Sequence, residues 1–262
     1  MKQLLFFLSL FLSTLLQGQA VIKEIKEINP NRKSDKYIFP WVIIPGNKTA
    51  TGRINNELIR HELEIEDRKK IKRSIFENVW ATREQPTPMR SDFAYAVLNN
   101  DKRVLSMSVS AEGCGAYCEY ATSYHSFDIR TGKKIILDSL FTPEGAKIIC
   151  DSLTKGKRRM IGTEINALTD SLKDPAGRIN INDKERFERA KEMYEYCLEL
   201  TDETNFEYLH FYFIKNTLFI IVEQCSAHMT RALDDIGDFK FSFRLKDWKN
   251  YLSGYATRLI LL

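Results

Sequence analysis

From Asp92 onward the hydrophobic pattern of the chain has a period of two. Phe93, Tyr95 and Val97 alternate with Asp92, Ala94 and Ala96, and Leu105, Met107 and Val109 alternate with Ser106, Ser108 and Ser110. This predicts a hairpin, turned at Asn99-Asn100-Asp101-Lys102, with one buried and one polar face. A strand over residues 120–129, a turn at Arg130-Thr131-Gly132-Lys133 and a strand over 134–137 extend it to a four-stranded antiparallel meander, whose apolar face needs a layer of helices.

Elsewhere the period is closer to 3.6. Residues 49–64 read as a helix, with Thr51 as N-cap and Ile54, Leu58 and His61 on one face. Ile71, Ile75 and Val79 continue that spacing to Trp80, and Glu84-Gln85-Pro86-Thr87-Pro88 breaks it. Ahead of the helix, residues 37–44 form a β-rich run closed by Pro45-Gly46, and Pro40 within it predicts an edge strand. Thr142-Pro143-Glu144 starts a second helix, which Gly156 is expected to interrupt before residues 160–172 resume it. Asn182 or Asp183 caps a third. The last third returns to strands: 206–214, the fully apolar run 218–222 suited to a central position, and the alternating Phe239, Phe241 and Phe243. A short helix over 246–252 closes the chain. The expectation is an α+β protein of antiparallel sheets packed against helices, in two similar-sized, closely packed lobes. Residues 21–90 form an N-terminal strand and helix region, and 91–262 an α+β domain.

The first 20 residues stand apart. Lys2 precedes an apolar run over 4–16, and Gly18-Gln19-Ala20 places small residues at a cleavage site, which predicts a signal peptide cut after Ala20. The run is shorter than the roughly 20 residues that span a bilayer, so no membrane span is expected once it is removed. With 39 basic against 35 acidic residues, the net charge of +4 is spread through the chain and predicts no nucleic-acid partner.

Export changes how the 5 cysteines read. Cys114-Gly115-Ala116-Tyr117-Cys118 lacks the second ligand pair of a structural zinc site, so a Cys114–Cys118 disulfide is favoured. The alternative sends one of the two to Cys225. His61-Glu62 begins a helical zinc-protease pattern, but position 65 is Ile and the second histidine at i+4 is absent. Cys225-Ser226-Ala227-His228 places a thiol, a hydroxyl and an imidazole close in sequence without the orienting third group that nucleophilic catalysis needs. No catalytic residue, cofactor or metal centre is expected.

The order of features over residues 104–141 resembles a bacterial extracytoplasmic domain found in lysozyme-sensing anti-sigma-factor ectodomains and beside some polysaccharide deacetylases. The matching features are the Gly-rich loop at Gly113 to Ala116, Ser126-Phe127-Asp128, the Thr131-Gly132-Lys133 turn and Leu137-Asp138-Ser139-Leu140-Phe141. Phe39-Pro40 and Asn55-Asn56 resemble its companion region. The family's histidine in the Gly-rich loop is Tyr117 here. The resemblance implies the fold and an envelope-side binding role.

These features together predict an exported, non-enzymatic module, periplasmic or secreted, that binds a lysozyme-like protein or a peptidoglycan or other glycan ligand. Tyr117 and Tyr120 are its candidate binding face. The competing expectation is an envelope hydrolase, metal-dependent or built on cysteine and histidine, using His125, His228 and the cysteines.

Overall fold

The computed structural model describes residues 19–30, 32–67, 71, 73–80, 89–114, 118–173, 179–201, 204–206 and 209–261, with Arg32, Ser34, Asp35, Cys114, His228, Met229 and Leu261 described by backbone only. Strands β1 (Val21–Asn29) and β2 (Arg32–Ile43) form an antiparallel hairpin. Helix α1 (Lys48–Leu63) follows, then β3 (Arg90–Asn100), β4 (Val104–Cys114), β5 (Cys118–Asp128) and the two-residue β6 (Lys133–Lys134). All six strands make one sheet in sequence order. Neighbours run antiparallel except β2 and β3, which meet in parallel through the single pair Tyr37 and Phe93. The meander appears in the expected order, with its last strand reduced to Lys133–Lys134 and a 3-10 turn over Leu137–Leu140 ending the expected 134–137 strand.

Helices α2 (Pro143–Leu172) and α3 (Ile181–Glu199) pack together, and β7 (His210–Ile214), β8 (Thr217–Val222) and β9 (Phe239–Arg244) form a second, three-stranded antiparallel sheet. The apolar strand β8 is central, as a run buried on both faces should be. The protein is thus α+β, with one apolar cluster between α1 and the first sheet and another among α2, α3 and the second sheet.

Strand β7 docks on the first sheet through side chains that face away from α1. Phe213 N–H donates to Ser106 Oγ at 3.1 Å, Lys215 N–H donates to Asn99 Oδ1 at 2.9 Å, and Tyr212 stacks on Tyr124. The serine face that alternation marks as polar is therefore not simply solvated. Ser106 is fully buried against the second sheet.

Several elements differ from the sequence expectation. Asn47, not Thr51, caps α1 by accepting from Ala50 N–H at 2.9 Å, while Thr51 Oγ1 accepts from Ile44 N–H. Asn180 caps α3 in place of Asn182 or Asp183. The α2 helix continues through Gly156, and the position needs a glycine because a Cβ there would collide with the Phe241 ring of β9. The glycine is a point of close approach and not a break. Residues 73–80 form turns and no helix, with Phe76 and Val79 buried beneath the first sheet's aromatic cluster. The Glu84–Pro88 joint lies outside the described residues.

Candidate functional site

The buried stripe of α1 carries two polar residues seven positions apart, Asn55 and Glu62, among Ile54, Leu58, Ile59 and Leu63. An apolar helix face tolerates such groups only when they are fully partnered. Asn55 answers to β2: its Oδ1 accepts from Val42 N–H at 2.9 Å, and its Nδ2 donates to Val42 O at 2.7 Å and Thr51 O at 2.8 Å. Since β2 meets β3 only at Tyr37, the outer edge of β2 at Val42 has no strand beside it, and the amide takes its place.

Glu62 answers to the meander. On β5, His125 shares the α1-facing side with Phe127, opposite Met107 and Leu105 of β4. Its Nε2 lies 2.6 Å from Glu62 Oε1, and His61 Nδ1 lies 3.0 Å from the same oxygen. Arg90 of β3 donates from Nη1 to Glu62 Oε2 at 3.1 Å and to the Glu62 carbonyl at 3.3 Å. Glu62 and His125 are buried and His61 is 44% exposed, so the cluster has one open side.

Burial alone would raise the Glu62 carboxyl. The hydrogen bonds and charge of His125 and His61 overcome it and hold the group at about 2. Burial pushes the His125 imidazole down, against the pull of Glu62. At neutral pH this is an ionised carboxylate beside a neutral imidazole, whose one proton belongs on Nε2, facing the carboxylate. His125 Nδ1 is then a fully buried ring nitrogen with no hydrogen-bond partner.

His61 also lines a cleft of about 300 Å³ between the two sheets, with Tyr124, Lys134, Asp138, His210 and Phe211 on its walls. On the outer side of α1 lies a larger open cleft of about 1050 Å³. Trp41 gives it an aromatic wall, Arg53, Arg60, Lys133 and Lys134 a cationic rim, and Asn56, Glu57 and Asp67 polar and anionic groups.

The sequence-predicted residues are scattered. Tyr120 is exposed at the start of β5, its hydroxyl donating to Asp92 Oδ2 at 3.4 Å, and it lines neither cleft. Tyr117 lies outside the described residues. Cys118 is disulfide-bonded, and Cys114 stands opposite it in the ladder. Cys225 is bonded to Cys197 of α3, so its sulfur is no nucleophile. That pairing also excludes the alternative route from the Cys114 loop to Cys225. Cys150 is free.

His61-Glu62 lacks a histidine four residues on, since position 65 is Ile. The histidine arrives instead from β5, 63 residues away. The available signal was an ionisable residue in phase with an apolar stripe, twice over: Glu62 on α1 and His125 on β5.

No family model matches the chain, and no curated protein matches it in sequence. Among solved structures, a member of the DUF3298 family from Bacteroides fragilis aligns over 90% of this chain and 93% of its own, with a TM-score of 0.52 at 11% identity. A DUF3298 family protein from Pseudomonas aeruginosa aligns over 90% of this chain and 95% of its own, with a TM-score of 0.44 at 9% identity. The likeness to the first is one of fold. It places the α+β arrangement beside that of an uncharacterised bacterial domain family. No described helix is long and apolar enough to cross a membrane.

Proposed function

We propose that this chain is an exported binding module, without catalytic activity of its own, that seats a protein or glycan ligand in the Trp41 cleft. The cleft carries the reading. Its volume of about 1050 Å³ matches the upper range of ligand sites, and an indole beside side chains of both signs suits a sugar face or a polar protein loop. A lysozyme-like protein and peptidoglycan remain the two ligand classes. The Cys197–Cys225 disulfide supports an oxidising, extracytoplasmic location, and a Cys114–Cys118 disulfide bracing the β4–β5 loop belongs to the same reading.

Export requires removal of the leader near Ala20. Asn100 clasps the Ala20 backbone, accepting from its N–H at 2.9 Å and donating to its carbonyl at 2.8 Å. A cut after Ala20 loses this clasp, whereas a cut two residues earlier keeps it. N-terminal sequencing of exported protein, beginning at Val21 or at Gln19, decides between them.

The binding test is a pull-down of immobilised protein against lysozyme and against peptidoglycan. Retention of one of the two, lost in Trp41→Ala and kept in Tyr120→Ala, is the expected result. Loss in Tyr120→Ala alone would move the binding face to the β4–β5 loop. No retention of either ligand by the unmodified chain overturns the proposal.

A further inference from the structure

We infer that His61, Glu62 and His125 form a binding site for one divalent transition-metal ion of the zinc class, reached through the cleft between the two sheets. The site is separate from the Trp41 cleft and does not depend on the binding role proposed for it.

The donor set comes first. Two imidazoles and one carboxylate each place a ligand atom within 4.8 Å of the others. Nitrogen and oxygen donors in this ratio suit zinc and its neighbours, and are too nitrogen-rich for calcium or magnesium. Three protein ligands leave a coordination position for water or an exogenous donor, as in open zinc sites.

The spacing is close to what an ion requires. Bonds of about 2.0–2.1 Å in tetrahedral geometry separate neighbouring donors by roughly 3.3 Å. Glu62 Oε1 lies 2.6 Å from one ring nitrogen and 3.0 Å from the other. Admitting the ion needs each ring nitrogen to part from the carboxylate oxygen by less than an ångström. The two ring nitrogens, within 4.8 Å of each other, must take up the same spacing. The half-exposed His61 can follow by a side-chain shift, while the buried Glu62–His125 pair must open by a rotation of the carboxylate. Arg90 stays on the outer oxygen, Oε2, where it fixes the carboxylate's orientation.

The proton bookkeeping is neutral. In the ion-free cluster the His125 Nε2–H donates to Glu62, leaving Nδ1 as a buried acceptor without a partner. Coordination through His125 Nε2 moves that proton to Nδ1, and coordination through His61 Nδ1 likewise moves the proton it directs at Glu62 to Nε2, which frees both lone pairs. Nothing is oxidised or reduced, and no net proton is released from His125.

Access follows from His61, which is both a member of the cluster and part of the cleft wall. A water or small anionic donor on the ion would enter beside Lys134 and Tyr124. His210 lines the same cleft but is not one of the three ligands, which makes it the internal control.

The experiment strips the purified chain with chelator, then titrates it with zinc by calorimetry and with cobalt by visible absorption. One equivalent of zinc and a tetrahedral cobalt spectrum are expected. His61→Ala should lose at least about tenfold in zinc affinity, the lower end of what even an outer-shell partner costs, while His210→Ala retains it. His61 is exposed enough that its replacement leaves the fold intact, which circular dichroism verifies alongside. No zinc uptake by the stripped chain, or equal affinity in His61→Ala, overturns the site. A loss in His210→Ala alone would also overturn it, by placing the ion elsewhere in the cleft.

Discussion

His125 Nε2 of β5 and Glu62 Oε1 of α1 lie 2.6 Å apart, both side chains removed from water, and tie the last turn of the helix to the middle of the meander. The carboxylate is held at about 2 because His125 and His61 donate to it. Removing it leaves a buried imidazole with neither nitrogen partnered, and Arg90 without its anion. Glu62→Ala should therefore lose about 3 kcal/mol, the upper end for leaving a buried polar group unpartnered. Glu62→Gln, whose amide oxygen still accepts from His125, should lose nearer 1 kcal/mol. Urea midpoints at unchanged m-value, measured with chelator present, check both. Equal losses would mean that the carboxylate's charge, not its volume or the hydrogen bond its oxygen accepts, sets the cost, since Gln keeps the volume that Ala removes.

Asn55 is the other polar residue on that stripe, and its loss is expected to be costly for a different reason. Asn55→Ala orphans the Val42 N–H and C=O at once, each worth about 1–3 kcal/mol when buried without a partner. Asn55→Asp, nearly the same shape, sets an acceptor against the carbonyls of Val42 and Thr51 and should destabilise at least as much. Thermal melts of the two variants separate the polarity of the group from its size. An Asp variant as stable as the parent would refute the edge-capping role.

Much of the fold was legible because one physical cause acted locally. Strands β3–β5 of the meander show as alternation because each has one face under α1. The β8 run is wholly apolar because it is central. What failed depended on neighbours far along the chain. Gly156 looks like a helix break until Phe241 is seen to press on it. Ile71, Ile75 and Val79 have helical spacing, yet Phe76 and Val79 reach the core from turns. The candidate metal cluster was illegible as a motif because its two imidazoles come from a helix and a strand. Only the misplaced polarity of Glu62 and His125 marked it.

The Thr131-Gly132-Lys133 turn was legible as a turn, but its tight contact with α1 was not. Gly132 has φ +69°, and a Cβ there would lie 2.6 Å from both Cα and O of Ala50. Gly46 has a similar φ of +74° with nothing within 4 Å of a Cβ. Gly46→Ala should therefore cost only the left-handed penalty of about 1–2 kcal/mol. Gly132→Ala should cost clearly more, because the backbone of α1 must move as well. Lys133 and Lys134 follow the turn and line the Trp41 cleft, so Gly132→Ala is also expected to weaken ligand retention where Gly46→Ala does not. Paired denaturation curves and pull-downs read out both effects. Equal stabilities of the two variants would show that α1 yields freely at Ala50.

The Tyr194 hydroxyl of α3 organises the loop after β8 from a buried position. It donates to Asp234 Oδ1 at 2.9 Å and accepts from Asp235 N–H at 2.9 Å and Ile236 N–H at 3.2 Å. Burial raises its ionisation well above the ordinary tyrosine value, and the Asp234 carboxylate pushes it the same way, against the two backbone donors. The folded state therefore disfavours the phenolate. The group's contribution is constant below the unfolded value of about 10 and is lost as pH rises above it, at about 1.4 kcal/mol per pH unit. Other tyrosines are raised as well, so the difference between the parent and Tyr194→Phe isolates this one. Tyr194→Phe should be less stable by about 1–3 kcal/mol at pH 8, because the Asp235 N–H loses its acceptor and Asp234 a donor, while the Ile236 N–H keeps only Asp234 Oδ1. Its deficit should shrink as pH climbs past about 10, since only the parent has a phenol to ionise there. Urea midpoints across that range measure the gap, and a gap that stays constant would mean that Tyr194 ionises freely in the folded protein.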